Sequence, residues 1–226
     1  MTPRTPVPVP VQSLHLADAK EAEDLSAFLA RLIHYDRAAA VRIQAGGEAL
    51  AVFGRPPSFE VLAIRTARLA EPAAIDTTVS AGELLESLDG NRCTVPAAVT
   101  GPPWAGVLPP RGGWHGLAGL PPVRELRGAV AEAVAEFRAR DEALPAGERT
   151  RAGRDRIGRE IWSRTVGGTG LPLRAVHAAQ SLGFLRPGAP ADLLAASGWL
   201  RLRTPYGSVA VRTGGLGGLP LTPRRA

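Results

Sequence analysis

Between residues 96 and 122 the chain is so dense in proline, glycine and tryptophan that no long helix or strand can cross it. That connection separates a part whose apolar residues tend to alternate from a part whose apolar residues recur every three or four positions. A chain of 226 residues suggests one large domain or two small ones. Its hydrophobic content of 45% suffices for a core, built largely from Leu, Val, Ile and Ala because aromatics make up only 5%.

Ahead of the connection, residues 1–12 hold Pro3, Pro6, Pro8 and Pro10 and read as an extended, flexible arm. Asp18 followed by Glu21 marks a helix start, and Leu25, Phe28, Leu29, Leu32 and Ile33 form its apolar face. Val41 and Ile43 alternate with polar neighbours. Gly46-Gly47 is expected to turn the chain into a second strand through Leu50 and Val52, which Arg55-Pro56-Pro57 breaks. Residues 59–67 are apolar enough for a central strand, and Ile75, Thr77 and Val79 predict another. Ser80 and Glu83 form a capping box for a short helix through Leu84, Leu85 and Leu88, ended by Asp89-Gly90-Asn91. Trp104 and Trp114 are expected to pin the connection to the core.

Past it, Pro121-Pro122 opens an amphipathic helix with Val123, Leu126, Val130, Val134 and Phe137 on one face. A second helix is expected over 148–164 and a third over 172–182, where Gly183 supplies a left-handed cap and Phe184 folds back over the last turn. Residues 191–196 are expected to form at most a short helix. The strands 199–203 and 208–212 flank Thr204-Pro205-Tyr206-Gly207, a type I turn signature. This register sets Leu200 and Leu202 against Val211 and Val209 on one face and leaves Arg201, Arg203 and Arg212 on the other. Residues 214–226 read as a flexible Gly- and Pro-rich tail.

The fold class is therefore α+β. A helix-plus-sheet domain covers 13–116, and a basic helical domain closed by a β-hairpin covers 121–213. Few strands beyond residue 120 are expected other than that hairpin. Helices followed by a hairpin is the order of a winged helix-turn-helix.

Charge is divided along the same line. Residues 1–120 carry 10 Lys and Arg against 12 acids, whereas residues 121–226 carry 17 Arg against 9. Codon bias in a G+C-rich genome accounts for arginine over lysine but not for this asymmetry, which points to an anionic partner. Arg174, His177 and Ser181 fall on one stripe of the third helix, where they could meet base edges, and Arg201, Arg203 and Arg212 could hold phosphates. The competing reading is a solvated helix face and an exposed hairpin edge kept basic against strand pairing. Arg149, Arg151, Arg154, Arg156, Arg159 and Arg164 spread around the second helix, where Asp155 and Glu160 can pair with several of them. The leading expectation is a non-enzymatic regulatory or accessory protein that binds nucleic acid. An acidic protein partner is the alternative, and an enzyme acting on a phosphorylated small molecule is the third.

No motif names a reaction, so no catalytic residue, metal or cofactor is assigned. His15, His34, His115 and His177 are isolated in sequence. Cys93, the sole cysteine, excludes an internal disulfide, fits a reducing compartment, and reads as a packing residue. Gly167-Gly168-Thr169-Gly170 precedes a helix, yet no Lys-Ser/Thr follows, so it is not a P-loop and reads as a linker. No apolar run reaches the length of a signal peptide or a membrane span, and a cytoplasmic protein is expected.

The stretches LAIRTARLAEP at 62–72, LPPRGGW at 108–114 and AAQSLGFL at 178–185, with the hairpin at 199–212, resemble a conserved actinobacterial protein family with no assigned activity. The likeness covers most of the chain. It implies a cytoplasmic bacterial protein and transfers no functional residue.

Overall fold

The computed structural model describes residues 12–57 and 59–213; the expected arm up to residue 11 and the tail over 214–226 lie outside the described residues. The fold is α+β. The chain forms two compact units that interleave in sequence: Met1–Pro57 with Ile64–Leu108, and Ser58–Ala63 with Pro109–Ala226.

In the first unit, strand β1 (Ser13–His15) leads into helix α1 (Ala19–Tyr35). Asp18 caps α1 by accepting from the Glu21 amide at 2.9 Å, which satisfies a donor that the first turn leaves open. Leu25, Phe28, Leu29 and Leu32 bury the face that their spacing marks. Such side chains contribute roughly 1.5–3 kcal/mol each when fully buried.

Two long strands follow, β2 (Ala40–Gly54) and β3 (Leu62–Ser80). The sequence predicts four shorter strands here, and the structure corrects this. Gly47 takes a left-handed φ of 65°, yet the strand runs on through it. Glycine supplies a local kink without the chain reversing. Likewise Pro72 interrupts the apolar run but not β3. The strands are tied across by Arg42, whose Nε donates to Asp76 Oδ1 at 2.6 Å, and by Gln44, whose amide donates to the same oxygen at 3.1 Å.

Of the expected capping box one half forms: Ser80 Oγ accepts from the Glu83 amide at 3.4 Å and starts helix α2 (Ala81–Glu86). Leu88 does not extend that helix. It opens strand β4 (Leu88–Asp89), which turns at Gly90 into β5 (Arg92–Thr94). β5 is the middle strand of a small antiparallel sheet in which Cys93 sits opposite both Leu14 and Leu88.

The second unit carries β6 (His115–Leu117), α3 (Val123–Glu142), α4 (Arg151–Ser163), α5 (Leu173–Ser181), β7 (Asp192–Ala196), β8 (Trp199–Thr204) and β9 (Gly207–Arg212). Two of its helices start at the expected prolines, and the second starts at Arg151 rather than at residue 148. Pro122 and Pro172 precede α3 and α5, and Thr150 caps α4 through the Gly153 amide. At the end of α5, Gly183 takes a φ of 73° and the Phe184 amide returns to the Ala179 carbonyl at 2.8 Å, the expected left-handed cap.

The hairpin forms in the expected register, Leu200 facing Val211 and Leu202 facing Val209. Its setting differs from the expectation. Residues 192–196 form a strand rather than a short helix, and β6 pairs beyond it in the antiparallel order β6-β7-β8-β9. Leu and Ala favour a helix in isolation, but pairing on both edges overrides that preference. β8 is thus an interior strand with both edges bonded, not the edge of a projecting wing.

Candidate functional site

The six residues singled out by charge and spacing occupy two places. Arg174, His177 and Ser181 share the less buried side of α5, whose other side buries Leu173, Ala175, Val176, Ala178 and Ala179. None of the helix's residues is fully exposed. Arg174, His177 and Ser181 are each half-buried. His177 lies between two rings: Trp162 stacks on it with centroids 4.4 Å apart, and Phe59 meets it edge-on at 5.0 Å. Burial holds the imidazole below its ordinary pKa. It packs between these two rings.

Arg201, Arg203 and Arg212 share one face of the sheet, as the register requires, but each is engaged within the fold. Arg201 Nε donates to Ser208 Oγ at 2.8 Å, and its guanidinium lies 5.7 Å from the Trp114 ring. Its pKa is lowered, first by burial and then by the nearby Arg203 charge. Arg203 bonds Asp192 at 2.8 Å, and Arg212 lies over Trp199 at 5.4 Å.

Arg174 alone of the six also lines an open cleft of about 740 Å³ within the second unit. Helix α4 supplies Arg154, Asp155, Gly158, Arg159, Trp162 and Ser163; α3 adds Phe137, α5 adds Arg174, and the segment before β3 adds Glu60. Local sequence explains this display. Ile157 and Ile161 anchor α4, and Gly153 is buried against the Glu148 carbonyl, so the arginines between them point away from the core. Arg154 Nε donates to Asp141 Oδ1 at 2.8 Å, and Arg151 reaches Asp155 at 3.9 Å. Among the described residues Arg159 and Arg174 have no ion-pair partner, and Arg174 Nε is buried without a hydrogen bond.

Behind the cleft, α3 and α4 are clamped by four charges. Arg140 Nη2 bonds Glu160 at 2.6 Å, Arg164 bonds Glu136 at 2.5 Å, and Arg140 also reaches Glu136 at 3.3 Å. The arginines hold both carboxyls below their usual range, Arg164 chiefly for Glu136 and Arg140 chiefly for Glu160. Of the arginines around α4, Arg164 pairs with Glu160 and Arg151 with Asp155, while Arg156 reaches Glu148.

Other sequence candidates are accounted for by packing. Cys93 is 1% exposed and burial raises its thiol pKa, the reverse of an activated nucleophile. The turn at 167–170 closes on itself, with Thr169 Oγ1 donating to the Val166 carbonyl at 2.6 Å and accepting from the Leu171 amide at 3.2 Å. Among the described residues no three His, Cys, Asp or Glu side chains group as metal ligands, and no helix is long and apolar enough to cross a membrane.

His177 gives a pH expectation. Its folded pKa lies below the unfolded one, so the unfolded chain takes up the proton first and the associated stability, complete above about pH 6.5, is lost as pH falls. Urea midpoints at pH 7.5 and pH 5 should therefore differ more for the natural protein than for His177→Phe. That substitution keeps a ring against Trp162 and removes the titration.

The chain is similar to a crystal structure of the DNA polymerase sliding clamp from Pseudomonas aeruginosa, with a TM-score of 0.49 and 11% identity over 94% of this chain and 68% of that one. No protein of curated function matches. Residues 9–106 match a domain of unknown function, DUF8010, and residues 109–216 match a second, DUF8185, so the chain carries these two uncharacterised domains one after the other.

Proposed function

We propose that the protein is a non-enzymatic accessory protein whose second unit binds nucleic acid, with α4 and the cleft beside it forming the interface. The carrying observation is the cleft itself: Arg159 and Arg174, without ion-pair partners among the described residues, line it together with the half-buried rings of Phe137 and Trp162, beside a helix that turns Arg151, Arg154, Arg156 and Arg159 outward. Guanidinium groups suit phosphate oxygens through paired donors. The hairpin arginines lie outside this cleft, and α5 contributes Arg174 to it.

Polyanion binding of this kind weakens steeply with salt, with a log–log slope near −0.9 for each phosphate neutralised on duplex DNA. Anisotropy titrations between low and physiological salt should find such a slope. The triple variant Arg151→Gln, Arg154→Gln, Arg159→Gln should flatten it by roughly one unit for each phosphate no longer neutralised. Arg203→Gln should leave it unchanged. Absence of binding to duplex DNA, single-stranded DNA and RNA at low salt would overturn the reading and give the basic face to an acidic protein.

A further inference from the structure

We infer that the cleft seats one unpaired nucleobase, so that the nucleic acid taken by the second unit is single-stranded; this rests on the nucleic-acid reading above. Four features support it beyond positive charge.

The first is shape. A pocket of about 740 Å³ falls in the size range of small-ligand sites, and its open mouth leaves a path for a backbone. Outward arginines alone would serve a duplex as well, but a concavity serves a base that has left its stack.

The second is the aromatic wall. His177 covers one face of Trp162, and the surface that Trp162 leaves exposed lines the cleft with Phe137. Gly158 keeps this wall bare. A Cβ there would lie 3.6 Å from Trp162 Cδ1 and 3.7 Å from Phe137 Cε2, so a longer side chain would extend along the wall. A glycine inside a helix is a local cost that this open surface explains.

The third is mixed charge. Arg159 and Arg174 are matched by Asp155, which Arg151 reaches at 3.9 Å, and by Glu60, which has no ion-pair partner among the described residues. A site for phosphate alone is weakened by such a carboxylate. A nucleotide suits both, because its phosphate meets the arginines while an amino group on cytosine, adenine or guanine donates to Glu60.

The fourth is backbone strain at the same residue. Glu60 adopts a left-handed φ of 51°, which non-glycine residues rarely do and which persists only where the surrounding fold imposes it.

The test uses the full chain, labelled oligonucleotides of about 12 residues and a duplex of equal length. Oligo(dC) should bind about tenfold more tightly than the duplex, and more tightly than oligo(dT), which has no exocyclic amine. Gly158→Leu should lower single-strand affinity about tenfold and leave duplex binding unaltered, because it fills the cleft and removes no charge. Tryptophan emission should be quenched by oligo(dC), and Trp162→Phe should abolish most of that quenching. Equal affinity for single strand and duplex, or an unchanged single-strand affinity in a Gly158→Leu variant that melts normally, would overturn the inference while leaving nucleic-acid binding intact. Should Gly158→Leu fail to fold, Glu60→Ala decides: loss of the dC-over-dT preference supports the seating, and an unchanged preference overturns it. Failure of every oligonucleotide to bind would instead overturn the functional reading on which the inference rests.

Discussion

Arg65→Ala is expected to destabilise the first unit by about 3–5 kcal/mol, the range for removing one partner of a buried ion pair. Arg65 projects from β3 and is 5% exposed. Its Nη2 donates to Asp24 Oδ2 at 3.1 Å and to Glu21 Oε2 at 3.4 Å, both carboxylates lying on α1. Those side chains are themselves only 14% and 15% exposed. Without the guanidinium, two negative charges on one helix face lie in a poorly solvated place, with Arg68 on Glu21 at 3.1 Å and Lys20 on Asp24 at 3.3 Å reaching them from the surface. The cost therefore comes from weakly compensated charge as well as reduced packing. Urea denaturation should show it, and a triple variant, Arg65→Met with Glu21→Gln and Asp24→Asn, should recover most of the loss. A single variant within about 1 kcal/mol of the natural protein would mean the cluster is better solvated than its burial indicates.

Gly207→Ala is the second large effect, expected to cost about 3 kcal/mol or more in the second unit through steric overlap together with backbone strain. Gly207 begins β9 with a φ of 147°, and an added Cβ would lie 2.5 Å from the Phe184 ring. Phe184 is 3% exposed and the Thr204 hydroxyl donates to the Gly207 carbonyl at 3.0 Å, so neither ring nor turn has room to yield. Gly116→Ala is the matched control. It lies in the same sheet with nothing within 4 Å of the new methyl, and its melting temperature should stay near that of the natural protein.

What is legible in the sequence is local. The Asp18 and Ser80 caps, the Gly183 stop and the hairpin register each depend on residues within a few positions of one another, and each stands as read. β7 escapes such a reading because Leu and Ala carry no strand preference. Yet Ser197 and Gly198, with φ of 35° and 77°, form the tight turn that joins it to β8, and a Ser-Gly pair ahead of an alternating run is the available signal. The unbroken courses of β2 and β3 through Gly47 and Pro72 have no local signal at all, since partner strands hold them. The candidate site is half legible. Arginine spacing marks Arg174, but burial of α5 and engagement of Arg201 and Arg203 follow from packing. Glu60, Phe137 and Trp162 come together from segments far apart in the chain.

The interleaving of the two units also bears on synthesis. Phe59 leaves the ribosome long before His177, the ring it packs against, so the earliest piece of the second unit must wait unprotected until the rest emerges. The first unit has all its residues once Leu108 is made and can form meanwhile. Cutting the gene at the proline-rich connection would leave a carboxy-terminal fragment without Phe59 and Glu60, and so with an imidazole covered by Trp162 alone and an incomplete cleft.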